Sequence, residues 1–284
     1  MPTIYTAQIT DTVAKLCIDA NYYLNADIKN CFANSLKTET SETAKWITQI
    51  LLENAEIAKE TQSPICQDTG MAVVFIDIGQ DVSIKGGSLE DAVNAGVRKG
   101  YKDGYLRNSV VRDPIDRVNT TDNTPAVIHY SIVDGDCITI TVAPKGFGSE
   151  NMSALKMLKP SEGIDGVKAF VVDTVKNAGP NPCPPIIVGV GIGGTMEYAA
   201  LLAKKALLRE VGAANRDNFW AKTEARILSD INALGIGVNG VGGSLTAMAV
   251  NINVYPTHIA GLPVAVNIGC HATRHMTAVL EGRE

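Results

Sequence analysis

Three cysteines with unusual neighbours constrain the fold of this chain more than any other feature. Cys66 lies in Pro-Ile-Cys-Gln-Asp-Thr-Gly, Cys183 in Pro-Asn-Pro-Cys-Pro-Pro, and Cys270 in Asn-Ile-Gly-Cys-His-Ala-Thr-Arg-His. They are so widely spaced that only the tertiary fold can bring them together. Three converging thiolates would hold a metal centre with one position left open, and an open position distinguishes a catalytic metal site from a structural one.

The residues beside these cysteines predict acid-base chemistry on a small anionic substrate. Gln67 and Asp68 directly follow the first cysteine. Polar and cationic side chains are also frequent near the third cysteine: His258, His271, Arg274 and His275. Proton carriers and anion binders around a metal are typical of a catalytic centre.

Other kinds of protein fit parts of this pattern. A zinc hydrolase also uses cysteine and histidine, although zinc sites usually keep two ligands a few residues apart. An electron-transfer iron-sulfur protein would need protein ligands on every iron, and only three cysteines lie in ligand-like loops. Gly189 to Gly194 matches the G-x-G-x-x-G dinucleotide pattern, which is weak evidence alone. The milder interpretation is that the helix after these glycines begins near the metal and helps to hold an anion.

The sequence resembles the iron-sulfur hydro-lyases of the class I fumarate hydratase and L-tartrate dehydratase family, in the α-subunit or N-terminal half. Six ordered segments carry the resemblance: PICQDTG (64–70), LRNSVVRDP (106–114), TTDNTP (120–125), KGFGSEN (145–151), PCPPIIVGVGIGG (182–194) and NIGCHATRH (267–275). Together they extend over nearly the whole chain.

The resemblance implies a role for particular residues. Cys66, Cys183 and Cys270 would ligate three irons of a [4Fe-4S] cluster whose fourth iron has no protein ligand and acts as a Lewis acid. The implied catalytic residues are Asp68 and His258. The implied substrate contacts are Gln67, Arg107, Gly148 and, again, His258. Arg112, His271, Arg274 and His275 receive no role, and Cys17, Cys31 and Cys137 are expected to be ordinary buried or half-buried thiols.

The implied reaction is the reversible hydration of fumarate to malate, with dehydration of L-tartrate to oxaloacetate as the alternative. Both substrates are small dicarboxylates. In this family a separate β-subunit or C-terminal half supplies a threonine base and further cations, so we expect an α2β2 assembly.

Composition is that of a globular enzyme. Of the 284 residues, 45% are hydrophobic and 19% charged, and the net charge of −5 argues against a nucleic-acid partner. We expect no membrane segment, because no apolar run of about 18 residues occurs. The absence of a signal-like N-terminus and of a disulfide framework leads us to expect a reducing, cytoplasmic setting.

Periodicity predicts one α+β domain over residues 1–284, with mixed sheets, surrounding helices and room for two lobes. We expect a helix from about Glu42 to Lys59 and another from about Met196 to Val211. Segments 126–133 and 137–142 read as a hairpin around Asp134-Gly135-Asp136. Further strands are expected at 186–190, 247–255 and 264–268.

Overall fold

The computed structural model describes residues 2–282, which form an α+β fold, as the sequence predicts. The helices are α1 (Thr6–Tyr22), α2 (Ala26–Thr38), α3 (Glu42–Thr61), α4 (Leu89–Asp103), α5 (Phe147–Glu150), α6 (Gly163–Ala178), α7 (Met196–Ala206) and α8 (Asn218–Asn232). The strands are β1 (Thr3–Tyr5), β2 (Met71–Gly79), β3 (Ser83–Lys85), β4 (Val127–Val133), β5 (Cys137–Lys145), β6 (Ala154–Leu158), β7 (Ile186–Gly194), β8 (Ala247–Thr257), β9 (Leu262–Gly269) and β10 (Met276–Glu281). Among these residues, no helix combines the length and apolar character needed to cross a membrane.

The chain forms two compact units, each assembled from separate segments. The described part of the first unit comprises residues 2–24, 54–146 and 274–282, and the second comprises 25–53 and 147–273. Each unit has its own four-stranded sheet and its own apolar core, and the first unit also contains the two-stranded sheet of β1 and β3.

The first unit is built on a four-stranded sheet in the order β10-β5-β2-β4. Along β5 the apolar residues alternate with polar ones, so Ile138, Ile140 and Val142 share one face and are fully buried with residues of α1 and α4. The two helices lie very close together at Gly100, where a β-carbon would be 2.6 Å from the Ala14 carbonyl oxygen. Glycine thus allows the helices to pack closely over the sheet.

The predicted hairpin of 126–133 with 137–142 is wrong, because β2 lies between β4 and β5. Strand β4 pairs with β2 in parallel, and β5 pairs with β2 on its other side in antiparallel fashion. The Asp134-Gly135-Asp136 connection crosses the end of β2 at Gly79, where a β-carbon would be only 2.5 Å from the Gly135 carbonyl oxygen. A short turn between alternating segments therefore joins two strands that are not neighbours.

The second unit contains a sheet in the order β6-β9-β7-β8, in which β7 and β8 are parallel and the other pairs antiparallel. In β7, Val188 and Val190 pack in the core with α6 and α8. The intervening Gly189 and Gly191 face α7, and a β-carbon on Gly191 would be 2.0 Å from the Ala199 carbonyl oxygen. These glycines therefore form a strand surface against which a helix packs, and not the turn that binds a dinucleotide.

The helix predicted to end near Val211 is shorter, because α7 ends at Ala206. The side-chain amide of Asn251 donates to the carbonyl oxygens of Ala206 (3.0 Å) and Arg209 (3.2 Å), which satisfies groups at the helix end. Helix α3, in contrast, begins at the predicted Glu42 and continues two residues beyond Lys59.

Candidate active site

Cys183 and Cys270 lie at the same end of the sheet of the second unit. Cys183 precedes β7, Cys270 follows β9, and the antiparallel register places Ile187 opposite Gly269. The backbone N–H of His271 donates to the Cys183 carbonyl oxygen at 3.1 Å, and the imidazole Nδ1 lies 3.2 Å from the same oxygen. Strand pairing and His271 thus bring together two of the three cysteines singled out in the sequence.

The chain at Cys183 has an unusual backbone conformation. Its φ of +54° is in the left-handed region, which residues other than glycine seldom adopt. Hydrogen bonds from Cys183 N to Pro180 O (3.0 Å) and from Asn239 N to Pro184 O (2.7 Å) fix the flanking prolines. Cys183 is exposed, so a rigid backbone presents this residue at the surface of the unit.

Cys270 lies in a tight turn that closes over Gly269. The Cys270 carbonyl accepts hydrogen bonds from the Thr273 backbone N–H (3.0 Å) and hydroxyl (2.8 Å). A β-carbon on Gly269 would be 2.1 Å from that hydroxyl oxygen. The glycine before Cys270 therefore makes room for the threonine that shapes its turn.

Gly148 also belongs to this region of the second unit. A β-carbon on Gly148 would be 3.8 Å from the carbonyl oxygen of Asn181, two residues before Cys183. In the same short helix, Glu150 accepts from the Asn267 side-chain amide at 2.9 Å and pairs with Lys204. These contacts join the Gly148 segment to β9, the strand that leads to Cys270.

Cys66, Gln67 and Asp68 lie in a loop of the first unit, between α3 and β2. The half-buried Cys66 has its Sγ 3.3 Å from Gln67 Oε1, and Asp68 N donates to the same sulfur at 3.5 Å. The Asp68 carboxylate accepts from Gly70 N at 3.0 Å through Oδ1, and its Oδ2 lies 3.0 Å from the position of a β-carbon on Gly146. The absence of a side chain at Gly146 therefore leaves room for the second carboxylate oxygen.

Thr69 links this loop to Arg107. Its hydroxyl accepts from Arg107 N (3.0 Å) and donates to Arg107 O (3.1 Å), so the backbone of Arg107 is fixed while its residue remains exposed. The Tyr101 hydroxyl lies 2.8 Å from Thr69 O and 3.0 Å from Gly70 O. Burial raises the pKa of Tyr101 well above its ordinary value, so the hydroxyl keeps its proton and remains a donor.

Arg274 is a residue of this region to which sequence reasoning gave no role. It is 4% exposed, and its guanidinium donates from Nη2 to Asp68 O (2.6 Å) and from Nε to Asn21 Oδ1 (3.2 Å). The available signal was an arginine in the NIGCHATRH segment, but its acceptors come from distant parts of the sequence. Arg112, also left without a role, pairs with Asp116 at an exposed position.

The expectation that His258 crowds Cys270 is wrong. His258 follows β8, whose Thr257 lies opposite Gly194, the last residue of β7. Cys183 and Cys270 are at the other end of this sheet, and a nine-residue strand is about 25 Å long. The helix α7 begins at the same far end, so the expectation that it starts near the metal is also wrong. His258 is exposed, and its Nδ1 accepts from Ala260 N at 3.2 Å.

The three loop cysteines match the ligands that an iron-sulfur cluster needs. Within residues 2–282 no three His, Cys, Asp or Glu side chains are grouped so that they could hold one metal ion. A cluster makes a different demand, because each thiolate binds a different iron. None of the six cysteines is in a disulfide, and Cys66, Cys183 and Cys270 supply the soft sulfur ligands that iron-sulfur clusters require.

The remaining cysteines have a different environment. Burial raises the pKa of the Cys17 thiol to about 12, and burial together with the charge of Asp27 raises that of Cys31 to about 11. Cys17 is buried, whereas Cys31 and Cys137 are half-buried, as expected for ordinary thiols. Protonated thiols are poor metal ligands.

Comparison with known proteins identifies the family. The family model described as "Fumarate hydratase (Fumerase)" matches residues 10–279. A protein of Methanocaldococcus jannaschii named "Putative L(+)-tartrate dehydratase subunit alpha" is 45% identical over 273 residues, covering 94% of this chain and 95% of the relative.

Bacterial relatives show the same full-length similarity. The "L(+)-tartrate dehydratase subunit alpha" of Escherichia coli strain UTI89 is 33% identical over 95% of this chain and 90% of its own length. The protein of the same name from Shigella sonnei strain Ss046 is 32% identical over 96% of this chain and 91% of its own length. The chain therefore belongs to the fumarate hydratase (Fumerase) family and is a hydro-lyase.

Proposed function

We propose that this chain is the α-subunit of an iron-sulfur-dependent hydro-lyase that dehydrates L(+)-tartrate to oxaloacetate. The observation that carries the proposal is the similarity over almost the full length of both chains to relatives named L(+)-tartrate dehydratase subunit alpha. Motifs alone ranked fumarate hydration first, and the relatives reverse that order. Fumarate hydration remains the second candidate, because the matching family model carries that description.

The proposed cofactor is a [4Fe-4S] cluster ligated by Cys66, Cys183 and Cys270. The shared sheet end of Cys183 and Cys270, the His271 contacts between their segments, and the half-buried thiol of Cys66 support this assignment. When bound, the cluster supplies a Lewis-acidic iron with one coordination position that the protein does not fill.

Asp68 is the proposed proton carrier. Dehydration removes a hydrogen and a hydroxyl from adjacent carbons, so a positioned carboxylate can accept or return the proton. Gly70 N holds Oδ1, and Oδ2 lies next to Gly146, where the missing side chain leaves room for it.

Substrate binding is assigned to Gln67, Arg107 and Gly148. The exposed Arg107 offers a planar guanidinium that can donate two parallel hydrogen bonds to a carboxylate. The Thr69 contacts hold its backbone beside the loop that carries Gln67 and Asp68. Gly148 is exposed and lacks a side chain, which permits close approach of substrate to its backbone.

His258 lies far from the proposed cluster within one chain. A cluster held by Cys183 and Cys270 would be about 25 Å from His258 of the same chain, given the length of β7. A substrate contact through His258 therefore needs the imidazole of a second copy. Replacing His258 with Ala should raise KM for the dicarboxylate if that contact forms, and an unchanged KM would remove His258 from the site.

The relatives are named "subunit alpha", which implies a separate partner chain. We propose a β-subunit and an α2β2 assembly, in which the partner supplies further cations and the base. A cytoplasmic location is part of the same proposal.

The test is to rebuild the cluster without oxygen in the presence of the candidate β-subunit and to compare kcat/KM for L(+)-tartrate and fumarate. We expect L(+)-tartrate to be preferred, with oxaloacetate as the product. A preference for fumarate would favour the second candidate. If neither dicarboxylate is turned over by a complex that contains intact cluster, the proposed function is wrong.

A further inference from the structure

Two buried residues, Asn21 through its backbone carbonyl and Arg274 through its side chain, hold the loop of Cys66 and Asp68 at points on either side of Cys66 and Gln67. On one side, Ile65 N donates to the Asn21 carbonyl oxygen at 2.9 Å. On the other, Arg274 Nη2 donates to the Asp68 carbonyl oxygen at 2.6 Å. Arginine is rarely buried unless its donors are matched by acceptors, so a 4% exposed Arg274 marks a specific use of this side chain.

The two anchoring points are themselves connected. Arg274 Nε donates to Asn21 Oδ1 at 3.2 Å, and Asn21 Nδ2 donates to the Cys17 carbonyl oxygen at 2.9 Å in α1. Asn21 is fully buried. Helix α1 therefore fixes Asn21, Asn21 orients the guanidinium, and the guanidinium fixes the backbone of Asp68.

We propose that Arg274 is a positioning residue that, together with Asn21, holds Ile65–Asp68 in the conformation that presents Cys66 to the metal and Asp68 to the substrate. This inference rests on the proposed function for the identity of that metal and that substrate. The underlying physical claim concerns the apo chain and can be tested there. A planar guanidinium suits the task, because it can donate to two acceptors in fixed directions at once.

A merely structural role predicts a different outcome. If Arg274 only stabilised the fold, its loss would loosen the first unit as a whole. A positioning role predicts that its loss loosens the loop and leaves the core formed by α1, α4 and the sheet intact. Hydrogen exchange distinguishes the two, because it reports local opening segment by segment.

The experiment compares Arg274→Met and Arg274→Lys with the control Arg112→Met, whose exposed pair with Asp116 belongs to the same unit. Amide hydrogen exchange is followed by mass spectrometry in the reduced, cluster-free full chain. For Arg274→Met we expect exchange in the peptide spanning 63–71 to accelerate about 10-fold or more, as for loss of a charge-assisted hydrogen bond. Peptides from β5 and α4 should be unchanged.

Arg274→Lys should give an intermediate acceleration, because an ammonium group lacks the fork that reaches both Asp68 O and Asn21 Oδ1. If Arg274→Met does not fold, the Arg274→Lys variant still tests the proposal. Unchanged exchange at 63–71 in both variants, or equal acceleration throughout the first unit, would overturn the proposal.

Kinetics of the reconstituted complex provide a second readout. Arg274→Lys should lower kcat by about 10-fold while KM changes less than about 2-fold, since the affected group moves a proton and is not the main substrate anchor. If KM rises and kcat is unchanged, the positioning role is overturned. If the wild-type complex is inactive on both dicarboxylates, the proposed function fails while the exchange result still decides the role of Arg274.

Discussion

At the residue scale, the six cysteines fall into two groups that differ in backbone setting. Three lie in loops fixed by hydrogen bonds, and the other three lie in helices or a strand. We expect single replacement by Ser to abolish the cluster in the loop group, which comprises Cys66, Cys183 and Cys270. It should leave the cluster intact in the matched control group, which comprises Cys17, Cys31 and Cys137.

The measurement is iron and acid-labile sulfide content with the visible absorption of anaerobic protein. Loss of one thiolate removes an iron ligand that serine replaces poorly, because iron-sulfur clusters prefer soft sulfur donors. A complete cluster in the Cys183→Ser variant would contradict the ligand assignment.

A second prediction at this scale separates chemistry from assembly. Asp68→Asn should retain the cluster yet lower kcat by about 100-fold or more, the scale of losing a positioned proton carrier. Asp103→Asn is the control, because Asp103 is half-exposed and pairs with Lys99 on a helix surface. Turnover by Asp68→Asn at the wild-type rate would assign Asp68 a structural role.

Individual residues also show what the sequence could reveal about the site. The motifs single out Cys183, Cys270 and Gly148, and the second unit brings these three residues to one region. Proximity in sequence wrongly indicates that His258 lies close to Cys270, because the whole length of β9 separates the two residues. The sequence gives no role to Arg274, because one of its acceptors is Asn21 in α1, and no local pattern indicates that contact.

At the element scale, the connection between α2 and α3 depends on one buried carboxylate. Glu39 ends α2 and is 5% exposed; its Oε1 accepts from Thr40 N and Ser41 N, and its Oε2 from the backbone and hydroxyl of Ser244. Burial alone would raise the pKa of Glu39, but these hydrogen bonds outweigh burial and hold the pKa below its ordinary value of 4.5. The charge also lies at the N-terminus of α3, where the helix dipole favours an anion.

Glu39→Gln should lower the free energy of unfolding by about 2 kcal/mol at pH 7, because an amide group would face backbone N–H donors. A group with a lowered folded pKa stabilises the fold above its unfolded pKa and loses this effect as pH falls through the folded value. Urea unfolding should therefore show the two proteins converging below about pH 4.

The control for this variant is Glu42→Gln, since Glu42 is exposed and pairs with Lys45 within α3. Its effect should stay within about 0.5 kcal/mol at every pH. A pH-independent difference for Glu39→Gln would show that shape, and not charge, matters at this position.

The predicted elements were mostly present, whereas their pairing was not predictable from local signals. Alternation along β5 correctly gave its buried face, because side-chain direction in a strand is a local property. The order of the sheet depends on the insertion of β2 between β4 and β5. The turn at Gly135 carries no signal of that insertion, because β2 lies far away in the sequence. The glycines of the G-x-G-x-x-G match likewise allow α7 to pack closely on β7, a role that the local pattern does not indicate.

At the scale of the whole molecule, we expect the isolated chain to be inactive and to gain turnover on adding its partner. A dicarboxylate needs several cations. Among the arginines of the matching segments, Arg112 is paired with Asp116 and Arg274 is committed to Asp68 and Asn21, which leaves Arg107 for substrate. Activity assays before and after addition of the candidate β-subunit test this, and full activity of the solitary chain would contradict it.

Strand β4 affects how such an assay must be run. It is the outer strand of its sheet, and Tyr130, Ile132 and Val133 on it are exposed. An exposed apolar edge strand is a template for adding a strand from another molecule. Isolated chains are therefore prone to aggregate through β4 as their concentration rises, and low yield or precipitation during expression would then imitate the loss of catalysis expected without the partner.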